Sequence, residues 1–260
     1  MPAAGAGAPP FPRVRSDSIC VETPDGAIDA YFVHPEAGAH PGILMWPDAL
    51  SIRPAFRAMA ERLARRGYSV LLVNPFYRTQ AAPIPVTADD FYDDPVARAK
   101  VIELARSVTF DMALSDSGIL VAYLERQSCV DKGRKLGTMG YCAGGAMAIA
   151  TAAAAPGRVG AVASFHGGNL VTKEPNSPHR QIARMRAGAL IAIAEDDDQK
   201  DPEAKVLLGR AFDSSGLTAE IEVYRGAMHG WCVPDTRSYN EAQAERAWSR
   251  MLALLGSHLS

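Results

Sequence analysis

Five short apolar runs recur along the chain, GILMW (42–46), YSVLLVN (68–74), KLGTMGY (135–141), GAVASFH (160–166) and ALIAIA (189–194), with polar and helical stretches between them. Runs apolar at consecutive positions predict strands buried on both faces, as in a parallel sheet. AEIEVY (219–224) alternates instead, which predicts a strand near the sheet edge. Ahead of all of these, SICVE and AIDAYFVH flank TPDG, with Pro24 and Gly26 where a β-turn favours them, so the chain is expected to open with an antiparallel hairpin.

The intervening stretches carry the helical period. Phe56, Met59, Ala60, Leu63 and Ala64 share one face, and Gly67 follows where a helix cap is expected. Ala204, Leu207, Leu208, Ala211 and Phe212 repeat the pattern, as do Ala244, Ala247, Trp248, Met251, Leu252 and Leu255, and a further helix is expected from about Thr109 to Arg126. Strand and helix alternating this often predict an α/β fold, a mostly parallel central sheet covered by helices on both faces, as a single domain over residues 16–260. Residues 75–108 break the rhythm with four prolines and the acidic TADDFYDDP. They read either as an ordinary long connection or as a lid or pocket wall. The small, proline-rich opening over residues 1–15 predicts a disordered tail, without the basic start and apolar run of a signal peptide.

Composition narrows the function classes. With 260 residues, 48% of them hydrophobic and 22% charged, the chain can build a large core of its own. A net charge of -2, with Lys and Arg scattered along the chain, argues against nucleic acid or a membrane surface as partner and for a small molecule. No apolar run is long enough to span a bilayer. Four dispersed cysteines, Cys20, Cys129, Cys142 and Cys232, do not make a disulfide framework and fit a reducing, cytoplasmic setting. No zinc-type spacing of Cys and His is present, so no metal is expected, and the glycine fingerprints of dinucleotide and P-loop sites are missing, so no cofactor is expected.

One stretch carries chemistry. In MGYCAGGAM (139–147), Gly140 and Gly144 flank Cys142 between an expected strand and an alanine-rich helix, the setting of a nucleophile elbow with cysteine in place of the usual serine. Such an enzyme needs an acid after a later strand and then a histidine. ALIAIAEDDD ends a strand with Asp196, Asp197 and Asp198, any of which fits, and VYRGAMHGW ends the last strand with His229. His166, in SFHGG, also ends a strand but precedes the acid, so it reads as a structural or substrate-facing residue. Cys20 and Cys129 read as small hydrophobes, and Cys232 as a pocket-lining residue.

With these residues assembled, the chain from about residue 18 onward resembles the dienelactone hydrolase family, within the α/β-hydrolase fold. GYCAGG, RLARRGYSVLLVNPFYR, FHGG, AEDDD and AMHG carry the resemblance. It implies a Cys-His-Asp triad of Cys142, His229 and, by the family's G-x-x-D pattern, Asp197. It also implies that Asp48, in MWPDALS, takes the role of a carboxylate that holds the resting cysteine. The backbone N–H groups of Ala143 and Ala49 fall at the oxyanion-hole positions, Arg78 at that of a substrate-gripping arginine, and Tyr141 beside the elbow with His166 as substrate contacts. No arginine follows His229 at the family spacing; Arg237 lies farther along. The expected activity is hydrolysis of small esters or lactones through an acyl-enzyme, by a monomer or homodimer. The alternatives are a thioesterase or acyltransferase on the same triad, or a noncatalytic binding or thiol redox-sensor protein.

Overall fold

The computed structural model describes residues 11–260. In chain order these form β1 (Val14–Thr23), β2 (Gly26–Pro35), β3 (Gly42–Trp46), α1 (Pro54–Ala64), β4 (Ser69–Val73), α2 (Ala88–Asp93), α3 (Pro95–Ser107), α4 (Phe110–Arg126) and β5 (Leu136–Tyr141). They continue with α5 (Ala143–Ala154), β6 (Val159–Phe165), α6 (Pro178–Gln181), a 3-10 turn (Ile182–Arg184), β7 (Gly188–Ala194), α7 (Glu195–Lys200), α8 (Pro202–Ser214), β8 (Ala219–Tyr224) and α9 (Glu241–His258). The eight strands make one sheet in the order β1-β2-β4-β3-β5-β6-β7-β8, with β2 antiparallel to both β1 and β4 and every other neighbouring pair parallel. Of the tail expected over 1–15, residues 1–10 lie outside the described residues, and β1 begins at Val14.

The consecutive apolar runs follow from burial on both faces. Leu44 and Trp46 point into one core with α4, α5 and α8, while Ile43 and Met45 point into the other with α1 and α9. Every residue of β3, β4, β5 and β6 is buried. The alternating β8 is half-buried along most of its length, as a sheet edge requires. Burial of so many large side chains, each contributing roughly 1.5–3 kcal/mol, is what holds the sheet between its two helical layers.

Chain direction places the site. From β3 the chain winds through α1 to β4 on one side, and from β4 it crosses back to β5 on the other. The loops leaving β3 and β5 therefore diverge, which opens a crevice at the carboxyl ends of these two strands. Residues 75–108, which broke the sequence rhythm, fold into α2 and α3 and seat Phe76, Ile84 and Val101 against Leu50 in the loop after β3. They therefore pack against the loop that leaves β3.

Candidate active site

Cys142 occupies the turn between β5 and α5 with φ +53° and ψ −121°. A non-glycine residue held there costs about 1–3 kcal/mol and persists only where its surroundings enforce it. The enforcement is visible. Its N–H is shared between the Phe165 carbonyl at 3.1 Å and His166 Nδ1 at 3.2 Å, and its carbonyl accepts from the N–H groups of Gly145 at 3.0 Å and Gly168 at 3.1 Å.

The flanking glycines are required by close approach. A Cβ on Gly140 would stand 1.8 Å from the Gly144 carbonyl oxygen, and one on Gly144 would stand 2.5 Å from the Pro47 carbonyl oxygen. Helix α5 therefore rests directly on the end of β3, where Trp46 Nε1 donates to Thr151 Oγ1 at 3.0 Å. Among the described residues, four non-glycine residues take positive φ: Ser51, Cys142, His166 and Asn169. All four lie on loops at the carboxyl edge of the sheet, so backbone strain collects in the region of the crevice.

His229 follows β8 on a loop that returns over this edge. Its Nδ1 is 2.6 Å from Asp197 Oδ2, and the Cys142 side chain is near enough to act on the charge of its ring. Burial disfavours a charged ring, but the hydrogen bond to Asp197 and the attraction of Asp197 and Cys142 outweigh it, and the imidazole is pushed up to about 10. The three clustered aspartates have three different partners. Asp196 accepts from the His229 backbone N–H at 2.8 Å, Asp197 takes the ring, and Asp198 pairs with Lys205. All three sit in the first turn of α7, so a single element anchors both the backbone and the ring of His229.

The remaining predicted residues fall in several places. Ala143 is the first residue of α5, where a helix leaves its N–H without an intrahelical partner. In the loop after β3, the Leu50 N–H donates to the Asp48 carboxylate at 2.9 Å and the Ser51 N–H to the Asp48 carbonyl at 3.0 Å, while the Ala49 N–H has no acceptor among the described residues.

Asp48, expected to hold the resting cysteine, accepts from Arg53 through both oxygens, at 2.6 and 2.9 Å. The same guanidinium reaches Asp235 at 2.7 and 2.9 Å, so Arg53 ties the loop after β3 to the loop that carries His229. Sequence reasoning passed over Arg53, although an arginine five residues after Asp48 was the available signal. Arg78, expected to grip substrate, is held by Asp116 at 2.8 Å through two nitrogens and by Asp25 at 2.7 Å.

Tyr141 and His166, expected to face substrate, are buried beneath the elbow at 2% and 1% exposure. Tyr141 stacks on Phe165, with ring centroids 4.9 Å apart. His166 presents its ring to His229 at 5.0 Å and Trp231 at 5.2 Å, and burial together with the neighbouring His229 pushes its pKa well down. A neutral ring whose Nδ1 accepts from Cys142 carries its proton on Nε2. His166 thus braces the strained backbone of Cys142. Cys232 is buried, and burial pushes its thiol up, which leaves it a poor nucleophile.

A cleft of about 340 Å³ lies beside the elbow and reaches it at Ala143; Ala146, Met147, Val108 and Phe110 also line it, while Cys142 and His229 do not. Arg237, farther along than the family spacing, does not line this cleft; it pairs with Asp93 of α2 and packs over the Tyr92 ring at 5.0 Å. Among the described residues no group of three His, Cys, Asp or Glu side chains is placed to hold a metal ion, and no helix is long and apolar enough to cross a membrane.

Known proteins share this architecture. The chain is 25% identical over 228 residues to a carboxymethylenebutenolidase of Rhodococcus opacus, covering 86% of this chain and 84% of the relative. It superposes on a dienelactone hydrolase-like promiscuous phosphotriesterase from metagenomic libraries with a TM-score of 0.71 at 19% identity, covering 95% of this chain and 99% of the other. The dienelactone hydrolase of Anabaena variabilis gives a TM-score of 0.63 at 17% identity, with the same coverage. The model of the dienelactone hydrolase family matches residues 28–259, from the second strand of the hairpin to the end of the last helix, and the chain therefore belongs to that family and is a hydrolase of its type.

Proposed function

We propose that this hydrolase cleaves small carboxylic esters or lactones through a thioester formed on Cys142. The observation that carries the reading is the hydrogen bond from Asp197 to His229, whose ring the Cys142 side chain helps to hold protonated, beside a backbone turn at Cys142 held in a strained conformation. An imidazole that stays protonated near neutral pH is the partner a thiolate nucleophile needs, and the carboxylate on Nδ1 fixes which nitrogen faces the sulfur.

In the first half-reaction the Cys142 sulfur bonds to the carbonyl carbon, and the carbonyl π pair moves onto oxygen. The oxyanion is received by the N–H groups of Ala143 and Ala49, the second of which is left without an acceptor. Collapse breaks the C–O bond to the alcohol, which takes its proton from His229 Nε2. Water then attacks the thioester while His229 accepts a proton from it, and the carboxylic acid leaves as the C–S bond breaks and the sulfur recovers its pair. The strain stored at Cys142 and the short ladder from Asp197 serve the same end: they hold the sulfur and the imidazole in one geometry before substrate arrives. The four unpaired cysteines among the described residues favour a reducing, cytoplasmic compartment for this chemistry.

The test is p-nitrophenyl acetate hydrolysis by wild type and by Cys142→Ala, His229→Ala and Cys232→Ala. Loss of at least about 1000-fold in the first two with retention in the third is expected. Wild-type turnover in Cys142→Ala overturns the proposal.

A further inference from the structure

The cleft beside the elbow lacks positive charge. No lysine, arginine or histidine lines it, and its one ionisable lining side chain is Glu174. Lys173, between the lining residues Thr172 and Glu174, does not itself line it. The lining residues Ala143, Ala146, Met147, Val108 and Phe110 are apolar.

Three arginines on the surrounding carboxyl-edge loops are already held by acids. Arg53 sits between Asp48 and Asp235, Arg78 between Asp25 and Asp116, and Arg237 faces Asp93 with Asp89 at 3.7 Å. Each guanidinium is thus matched by two carboxylates, so each cluster keeps a surplus negative charge. Drawing any of the three toward a substrate carboxylate would strip cover from two acids in order to pair one. For Arg53, with Asp48 buried, that exchange is strongly unfavourable.

Resting on the ester-hydrolase reading above, we infer that the enzyme selects uncharged acyl groups and discriminates against acyl chains that end in a carboxylate, with the cleft between Ala143, Met147, Phe110 and Glu174 as the acyl site. A hydrocarbon chain there is removed from water against apolar walls, which favours it in proportion to the area buried. A carboxylate there loses hydration, finds no cation among the lining side chains and meets Glu174, and the surplus acids around Arg53, Arg78 and Arg237 oppose its approach.

The experiment compares kcat/KM for p-nitrophenyl hexanoate and mono-p-nitrophenyl adipate, whose acyl chains have equal length and differ in the terminal carboxylate. Wild type is expected to prefer the hexanoate by at least about tenfold at low ionic strength, with the gap narrowing as salt screens these acids. Glu174→Lys, an exposed position, is expected to raise the adipate-to-hexanoate ratio by about tenfold, because it replaces a like charge by an opposite one. Equal or faster turnover of the adipate by wild type overturns the inference and leaves the ester-hydrolase reading standing. An unchanged ratio in Glu174→Lys overturns the assignment of this cleft as the acyl site. Failure to hydrolyse either ester overturns the ester-hydrolase reading, and the inference falls with it.

Discussion

Replacing Arg53 by methionine is expected to destabilise the protein out of proportion to one side chain. The guanidinium is 9% exposed and makes two hydrogen bonds to each of two carboxylates. The two halves differ in worth. Asp48 has a side-chain exposure of 11%, and stripping a buried carboxylate of its partner costs about 3–5 kcal/mol. Asp235 is 36% exposed, so its half is worth about 0–1 kcal/mol.

Arg53→Met should therefore cost about 3–5 kcal/mol, or roughly 6–20 °C in Tm for a domain of this size, while Asp235→Asn should cost about 1 kcal/mol or less. Adding Asp48→Asn to Arg53→Met should recover part of the loss, because a neutral amide still accepts from the Leu50 N–H without leaving a bare charge. The assay is urea unfolding followed by circular dichroism, read as a change in midpoint at constant slope. Because Arg53 also fixes the loop bearing Ala49, folded Arg53→Met should lose kcat more than it raises KM. A loss within about 1 kcal/mol of wild type for Arg53→Met, or an equal loss for Asp235→Asn, would refute the reasoning.

Two further outcomes follow from the elbow and its histidine. Gly144→Ala places a Cβ 2.5 Å from the Pro47 carbonyl oxygen and 2.7 Å from that of Trp46, so α5 must lift from β3; a loss of about 1–3 kcal/mol in chemical denaturation and at least about tenfold in kcat is expected, and wild-type values in both would show that the approach is not needed. The raised pKa of His229 sets a sign for pH dependence: its contribution to stability is fully present below the ordinary 6.5 and is lost as pH rises through about 10. Asp197→Asn removes the carboxylate that holds this proton, so the alkaline limb of the kcat/KM profile should move to lower pH and the loss of stability between pH 6.5 and 10 should shrink. An alkaline limb in Asp197→Asn that coincides with wild type would contradict this assignment.

How far the sequence could be read depended on whether local pattern or distant contact decides a feature. The run at 42–46 coincides with β3, and the helical stripes at 56–64, 204–212 and 244–255 fall within α1, α8 and α9, because burial imposes its period on the residues themselves. The turn at TPDG closes β1 onto β2 with Thr23 opposite Gly26. The helices α2 and α3 were not legible. In α3 the buried positions are Ala97 and Val101 and in α2 there are none, so too little apolar face existed to signal a period.

The elbow was legible because Gly140 and Gly144 report a crowding that only glycine tolerates. The partners of Asp48 and Arg78 were not: Arg78 is paired with acids 53 and 38 positions away, and Arg53 with one 182 positions away. A charge on a loop carries no mark of the charge it will meet. For the same reason Tyr141 and His166, which adjoin the site in sequence, lie beneath it in space, since alternate residues of a buried strand and the turn after it point into the core.

The central claim is a covalent bond to one sulfur, and the most direct measurement is the mass of the protein quenched in acid during turnover of p-nitrophenyl acetate. The account predicts an added acetyl group on the peptide that contains Cys142, enriched in the early phase and absent from Cys142→Ala. Full turnover with no adduct at Cys142, or an adduct that persists at another residue in Cys142→Ala with activity retained, would contradict it.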